Sequence, residues 1–314
     1  TSGSIWKQMT FFAMPIFLGN LFQQLYNTVD SLIVGNFLGS SALAAVSSSG
    51  SLIFMLIGFL SGISAGAGVI VARFFGAGDE KNLQRAVHTT VAFGLVAGVL
   101  MTGVGVALSP QILRWMDTPE SVMRESVTYL QIYFAGSLGF VMYNVLVGIL
   151  QAVGDSRHPL YYLIVSSVIN LVLDLLFITG FHTGVGGAAV ATVISQIVSA
   201  LLCFWQLLRT KESYGLKIRK IRFDKGILVQ IIKIGLPSGV QNSIIAFANV
   251  IVQSNINAFG EMAMAGYGAY TKVEGFGFLP INSFTMALTT FVGQNLGAKQ
   301  EERTKKGARF GILA

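Results

Sequence analysis

Residues 15–39 read PIFLGNLFQQLYNTVDSLIVGNFLG. The run is long and apolar enough to cross a bilayer, yet it carries Asn20, Gln23, Gln24, Asn27 and Asp30. At about 100° per residue, Asn20, Gln23, Tyr26, Asn27 and Asp30 share an arc of roughly 120° on one helical face. An ionisable group at membrane depth costs about 3 kcal/mol or more, so it faces a protein interior or an aqueous cavity. Such a seam either glues helices together or lines an ion or proton site in a transport cavity. The second reading is adopted.

Composition agrees. The 314 residues are 53% hydrophobic and 11% charged, with a mean hydropathy of +0.67. Soluble domains carry roughly 25% charged residues, so a water-soluble fold is excluded. Of the 14 acids, only Asp30, Asp174 and Glu274 lie well inside apolar spans. The one cysteine, Cys203, sits in an apolar run, allows no internal disulfide and reads as a packing residue. The opening TSGS reads as a cloning remnant, and no removable signal peptide is expected.

Stretches able to span about 30 Å of hydrocarbon occur at 11–38, 43–75, 86–108, 122–152, 159–180, 186–208, 227–258 and 262–295. A ninth starts near 304, and Pro280 is expected to kink the eighth. With the N-terminus inside, 18 of the 21 Lys and Arg fall in cytoplasmic segments and only Arg114 and Arg124 fall outside. That asymmetry is a positive-inside signal, and it explains the net charge of +7 without nucleic acid. The basic stretch 209–225 reads as a solvated connection between two halves, lying partly on anionic lipid.

An internal repeat underlies the halves. Pro15 and Asn20 recur as Pro237 and Asn242, and Gly39, Val71, Gly76 and Ala77 recur as Gly260, Val292, Gly297 and Ala298. Six spans separate the copies, so both have the same orientation, related by an axis along the membrane normal with the binding site between them. The domains are thus 1–208, a first lobe of six spans; 209–226, a cytoplasmic link; and 227–314, the start of a second lobe. A complete second copy would need about four more spans, so the chain is expected to be truncated.

Other patterns carry less. Gly184, Gly186 and Ala189 have dinucleotide-fingerprint spacing, but they lie between hydrophobic spans and suit close helix packing better. His88, His158 and His182 are scattered without metal-ligand spacing, and no nucleophile motif or zinc-protease pair appears. No enzyme, cofactor or catalytic residue is expected.

The fifth span places Asn170 and Asp174 on one face with Ser167. The sixth adds Thr192, Ser195, Gln196 and Ser199, and the fourth adds Asn144. Two acids, an amide and hydroxyls at this depth can bind Na⁺ through oxygen or share a proton, which makes Asp30 and Asp174 the candidate Na⁺ ligands. In YTKVEGFGFLP, Lys272 and Glu274 point in different directions on a helix and each meets a partner elsewhere or lines the cavity. Asp30 has Val252 at the repeat-equivalent position, so its chemistry belongs to the first half alone.

The segments QQLYNTVDSLIVGNFLG, VARFFGAGD with its echo VGQNLGAKQ, QAVGDSRHP, and NLVLDLLFITG followed by GGAAVAT resemble the MATE (multidrug and toxic compound extrusion) family. The likeness covers essentially the whole chain and is closest to the bacterial DinF-like branch. It implies an all-α integral membrane protein, a two-lobe bundle with six helices in the first lobe and two to three of the second present here. It further implies a monomeric antiporter of the cytoplasmic membrane, exporting cationic or amphipathic drugs in exchange for H⁺ or Na⁺. Carried over by position, Asp30 matches the first-span coupling acid, and Asn170, Asp174 and Thr192 match the polar network of the first lobe. Gln23, Tyr26 and Asn144 match cavity positions; Asn27 joins them on the same face, and Lys272 and Glu274 stand in the second half.

Three rivals are weighed. A lipid-linked oligosaccharide flippase of the same superfamily would need a basic cavity, and Lys272 is the one basic residue well inside a span. A major facilitator transporter would explain GAGDEKNLQR at 76–85, but its acid–arginine pattern is incomplete. A non-transporting scaffold predicts that the buried acids matter only for folding.

Overall fold

The computed structural model describes residues 2–115, 118, 120–257 and 261–313, without the side chains of several residues in 40–57 and 250–272. Helix makes up 89% of it, with no strand among the described residues. The helices are α1 (Ile5–Leu38), α2 (Ser40–Gly76), α3 (Glu80–Trp115), α4 (Glu120–Ala135) and α5 (Ser137–Ala152). They continue as α6 (Arg157–Leu175), α7 (Gly184–Arg209), α8 (Lys225–Asn257), α9 (Glu261–Gly297) and α10 (Glu301–Leu313). Each expected span is occupied by helix, and α10 stands where the ninth was expected to start.

One span departs from the expectation. The fourth is broken at Gly136, where α4 and α5 meet at 49°. A Cβ on Gly136 would sit 2.3 Å from Val193 Cγ1 of α7, so the break is where the chain leans against its neighbour. α9 is continuous through Pro280, and α1, α3 and α8 likewise contain Pro15, Pro110 and Pro237. Six described helices are long and apolar enough to cross a membrane, seven if α4 and α5 count as one span. The amides and Asp30 of α1 keep its hydropathy low enough to leave it out of that count.

Exposed apolar side chains mark the lipid-facing surface. On α3 they are Leu95, Val96, Val99, Leu100, Val104 and Leu108. Exposed tryptophans sit near helix ends: Trp6 and Trp205 at the basic end, each under a neighbouring cation (Lys7 and Arg209), and Trp115 at the other. Amphipathic rings favour such interfacial depths.

Between helices in lipid, close packing replaces the hydrophobic effect as the cohesive term, so small residues govern approach. α2 crosses α8 through Gly62 and Gly66 against Gly239 and Gly235; a Cβ on Gly62 would lie 2.2 Å from the Gly239 nitrogen. The contact between α2 and α9 is reciprocal. A Cβ on Gly76 would meet Gln294 O at 1.9 Å, and one on Gly297 would meet Arg73 O at 1.9 Å. Gly76 and Gly297 are repeat partners, and Arg73 and Gln294 are too, so each copy presents the same surface to the other, as a two-fold axis requires. The polar links follow suit: Asn20 of α1 donates to Ser283 Oγ of α9 at 3.0 Å, and its repeat partner Asn242 of α8 donates to Gly58 O of α2 at 3.1 Å.

The connection between the halves keeps its basic side chains exposed, as a solvated link would, while its backbone is anchored along α3. Gln84 of α3 donates to the carbonyls of Ser213 and Gly215 (3.0 Å to the latter). His88 accepts the Lys217 N–H at 3.0 Å, and Thr89 Oγ1 accepts the Asp224 N–H at 3.1 Å. Leu216 is buried in the core shared by α2, α3, α5, α7 and α8, and Tyr214 packs edge-on against Phe75. Asp224 then caps α8 by accepting the Ile227 N–H at 3.0 Å while pairing with Arg85.

Candidate functional site

The polar face of α1 is split between two places. Towards its C-terminal end, Asp30 meets Asp174, which α6 delivers just ahead of a π-helical turn at Leu176–Gly180. Such turns widen the helix and re-aim nearby side chains, and they recur at functional sites. Asp174 is fully buried, and Asn170, one turn earlier on the same face, is buried with it. Oriented to satisfy both neighbours, the Asn170 amide donates to Asp174 Oδ2 at 2.8 Å and accepts the Thr192 N–H of α7 at 3.2 Å. Asn170 therefore orients the carboxyl group rather than offering it an oxygen. The Tyr26 hydroxyl, one turn before Asp30, reaches the Thr192 side chain.

One oxygen of each acid, Asp30 Oδ1 and Asp174 Oδ1, is buried without a hydrogen-bond partner. Two carboxyl groups in contact and shielded from water require positive charge between them, either a shared proton or a cation. The two carboxyls with the Thr192 hydroxyl make an oxygen set of the kind hard cations accept. Among the described residues no group of three His, Cys, Asp or Glu is assembled, so the arrangement is a pair.

Two further residues belong here that the sequence reading did not single out. Tyr129 of α4 lies beside Asp30 and Asp174, and Tyr133, stacked on it at 6.5 Å, lies beside Tyr26. Their spacing of four along an apolar span was the available signal. Ser195 and Ser199 turn back to their own helix, bonding the carbonyls of Thr192 and Ser195 at 2.8 and 3.0 Å, and Ser167 does the same with Leu163.

The second place lies about 10 Å further along α1, seven residues of rise. Gln23 and Asn20 line a cavity of about 310 Å³ with Asn144 and Tyr143. An adjoining cavity of about 290 Å³ shares Asn144, Gln151 and Met286 and reaches Thr285 and Thr289 of α9. Among the described residues, no charged side chain lines either one. A larger cleft of about 550 Å³ lies at the basic ends, between the start of α1, the 153–157 turn and α9, away from the acids.

Gln23 and Asn144 thus share a cavity, whereas Tyr26 sits with the carboxyl pair. Asn27 is exposed. Glu274 accepts the Tyr270 hydroxyl of its own helix at 2.8 Å, with no link to the first-lobe acids among the described residues. The side chain of Lys272 lies outside the described residues.

Membrane-length helices in two repeat-related sets, with a buried carboxyl pair in the first, define a polytopic transporter bundle. The chain belongs to the MatE family, whose model matches residues 15–176 and 237–314, opening at the repeat partners Pro15 and Pro237. It is 34% identical to the "Probable multidrug resistance protein YoeA" of Bacillus subtilis, over 98% of this chain and 68% of that protein. It is 32% identical to the "Probable multidrug resistance protein YpnP" of the same organism, over 96% and 68%. Among solved structures, one described as "MATE in the bent conformation" superposes with a TM-score of 0.92 at 26% identity, over 99% of this chain and 70% of that one. A transporter of the MOP superfamily from Pyrococcus furiosus, whose description reports a binding pocket of reverse polarity, gives 0.92 at 26%, over 99% and 69%.

Proposed function

We propose that this chain forms the first lobe (1–208), the connection (209–226) and the start of the second lobe (227–314) of an ion-coupled exporter of cationic or amphipathic drugs. It resides in the cytoplasmic membrane with its N-terminus inside and works as a monomer, exchanging substrate for H⁺ or Na⁺. The carrying observation is the contact of Asp30 with Asp174, each with a buried, unpartnered oxygen. Its relatives' names support drugs as the substrates, and the lining of the inner cavities, uncharged among the described residues, suits a lipophilic cation better than the anionic head group of a flippase substrate.

The mechanism follows from charge. A proton or Na⁺ held between Asp30 and Asp174 neutralises the site, with Asn170 fixing the Asp174 carboxyl and Tyr26 and Thr192 closing the flank. Neutralisation weakens the hold on a cationic substrate, which leaves to the outside. Loss of the ion to the cytoplasm restores the negative site and the affinity for the next cation. Coupling requires only that ion and substrate favour different states.

The test uses full-length protein in cells lacking other exporters. Accumulation of a fluorescent lipophilic cation should fall with wild type and return to the empty-vector level with Asp30→Asn or Asp174→Asn at equal membrane abundance. Unchanged efflux in both mutants would overturn the proposal.

A further inference from the structure

We propose that the cleft between the start of α3 and the docked connection is a head-group site for an anionic phospholipid. The cleft measures about 590 Å³, and its lining includes Lys81, Arg85, Arg219, Lys220 and Arg222 against a single acid, Asp224. That acid is already engaged by Arg85 and by the Ile227 N–H. Arg219, Lys220 and Arg222 meet no carboxylate among the described residues. The positive charge of the cleft is therefore free for an outside anion.

The walls are held in place before any ligand arrives. Gln84, His88 and Thr89 lie on one face of α3 and fasten the connection at Gly215, Lys217 and Asp224, so the cationic side chains spring from an anchored backbone. His88 is itself buried, its Nδ1 on the Gln84 carbonyl at 2.6 Å and its Nε2 accepting from Lys217. Three protein-supplied fastenings leave less conformational entropy to lose on binding than a free basic loop would.

Depth and neighbours select a lipid over a soluble anion. Lys81 and Arg85 precede the apolar stretch 86–108 of α3, so the mouth of the cleft stands at the basic end of that span, at head-group depth. Ile218 and Phe223 flank the basic trio and are 61% and 47% exposed. Apolar side chains so exposed beside cations fit a surface whose phosphates meet the arginines while its acyl region receives the apolar residues. A soluble phosphate would use the cations and leave Ile218 and Phe223 in water. This inference needs only that α3 spans the membrane, and it stands whether or not the chain exports drugs.

The experiment is lipid retention by the purified full-length protein, read by native mass spectrometry after exposure to phosphatidylglycerol or phosphatidylcholine, with inorganic pyrophosphate as the soluble competitor. The inference predicts selective retention of phosphatidylglycerol. Retention should weaken at least about tenfold in Arg219→Gln with Arg222→Gln, since each basic residue contributes separately near an anionic surface. These side chains are exposed, so the fold should survive; Lys81→Gln, at an exposed helical position, provides a second variant with a smaller loss. Equal retention of the two lipids, or undiminished phosphatidylglycerol retention in both variants, would overturn it. Saturation by pyrophosphate with no phosphatidylglycerol bound would overturn the lipid in favour of a soluble anion.

Discussion

Asp174 makes sense only with its neighbours. Alone in an apolar span it would be a cost, but Asn170 donates to it, Asp30 meets it, and each acid keeps one buried oxygen without a partner, which a cation or proton would resolve. Asn170→Leu removes the orienting donor and should raise the ion concentration for half-maximal transport about tenfold, the scale of one hydrogen bond to a charged group. Thr192→Val, which leaves the backbone N–H to Asn170, should move it less. A titration of transport rate against the coupling ion checks both. Outside the membrane, Asp224 titrates with the opposite clarity. The Ile227 N–H, then Arg85, holds its carboxyl below the usual carboxylate range. Its contribution is present above the unfolded-state value near 4 and is lost as pH falls through the lower folded value. Protection of the 213–224 amides relative to their intrinsic exchange rates should therefore fall on strong acidification, and Asp224→Asn should show the lower protection already at neutral pH. Asp30, Asn170, Asp174 and Thr192 were legible in the sequence because polar groups are rare in apolar spans. Tyr129 and Tyr133 were not, because an aromatic residue in such a span looks the same whether it packs or serves a site. Ser195 and Ser199 look like site residues in sequence, yet a hydroxyl on a helix can satisfy itself on a preceding carbonyl.

Helices here are placed by what they lack. Gly62 and Gly66 on α2 admit the backbone of α8, and Gly76 and Gly297 admit each other's partner carbonyls. A methyl group at Gly66 would come 2.4 Å from the Gly235 nitrogen, with backbone on both sides and nothing to rotate away. Gly66→Ala should lower the thermal stability of the purified protein or abolish its accumulation. Gly103→Ala meets open space and should leave stability unchanged or raise it by up to about 1 kcal/mol. The comparison is read by thermal unfolding in one detergent. The long spans were legible from hydropathy, as was the repeat that pairs Gly76 with Gly297. The break at Gly136 was not, because the close contact made there is with Val193 of a different helix.

At the scale of the molecule, the two copies are joined by a set of contacts that runs from Asn20–Ser283 at the inner cavity to Gly76–Gln294 and Arg303 with Gly3 and Gln8 at the basic ends. Alternating access requires that set to part and re-form. A reversible cross-link across it, Asn20→Cys with Ser283→Cys, should therefore stop transport under oxidation and restore it on reduction, while either single substitution stays active. Cys203 is buried and does not interfere. The central claim is narrower: Asp30 and Asp174 carry the ion whose entry drives export. It is tested most directly by substrate efflux from vesicles containing the full-length protein, with a pH gradient or a Na⁺ gradient imposed separately, for wild type and Asp30→Asn. The account predicts efflux driven by an imposed ion gradient in wild type and none in the mutant. Gradient-driven efflux that survives Asp30→Asn, or no efflux under either gradient from folded wild type, would contradict it.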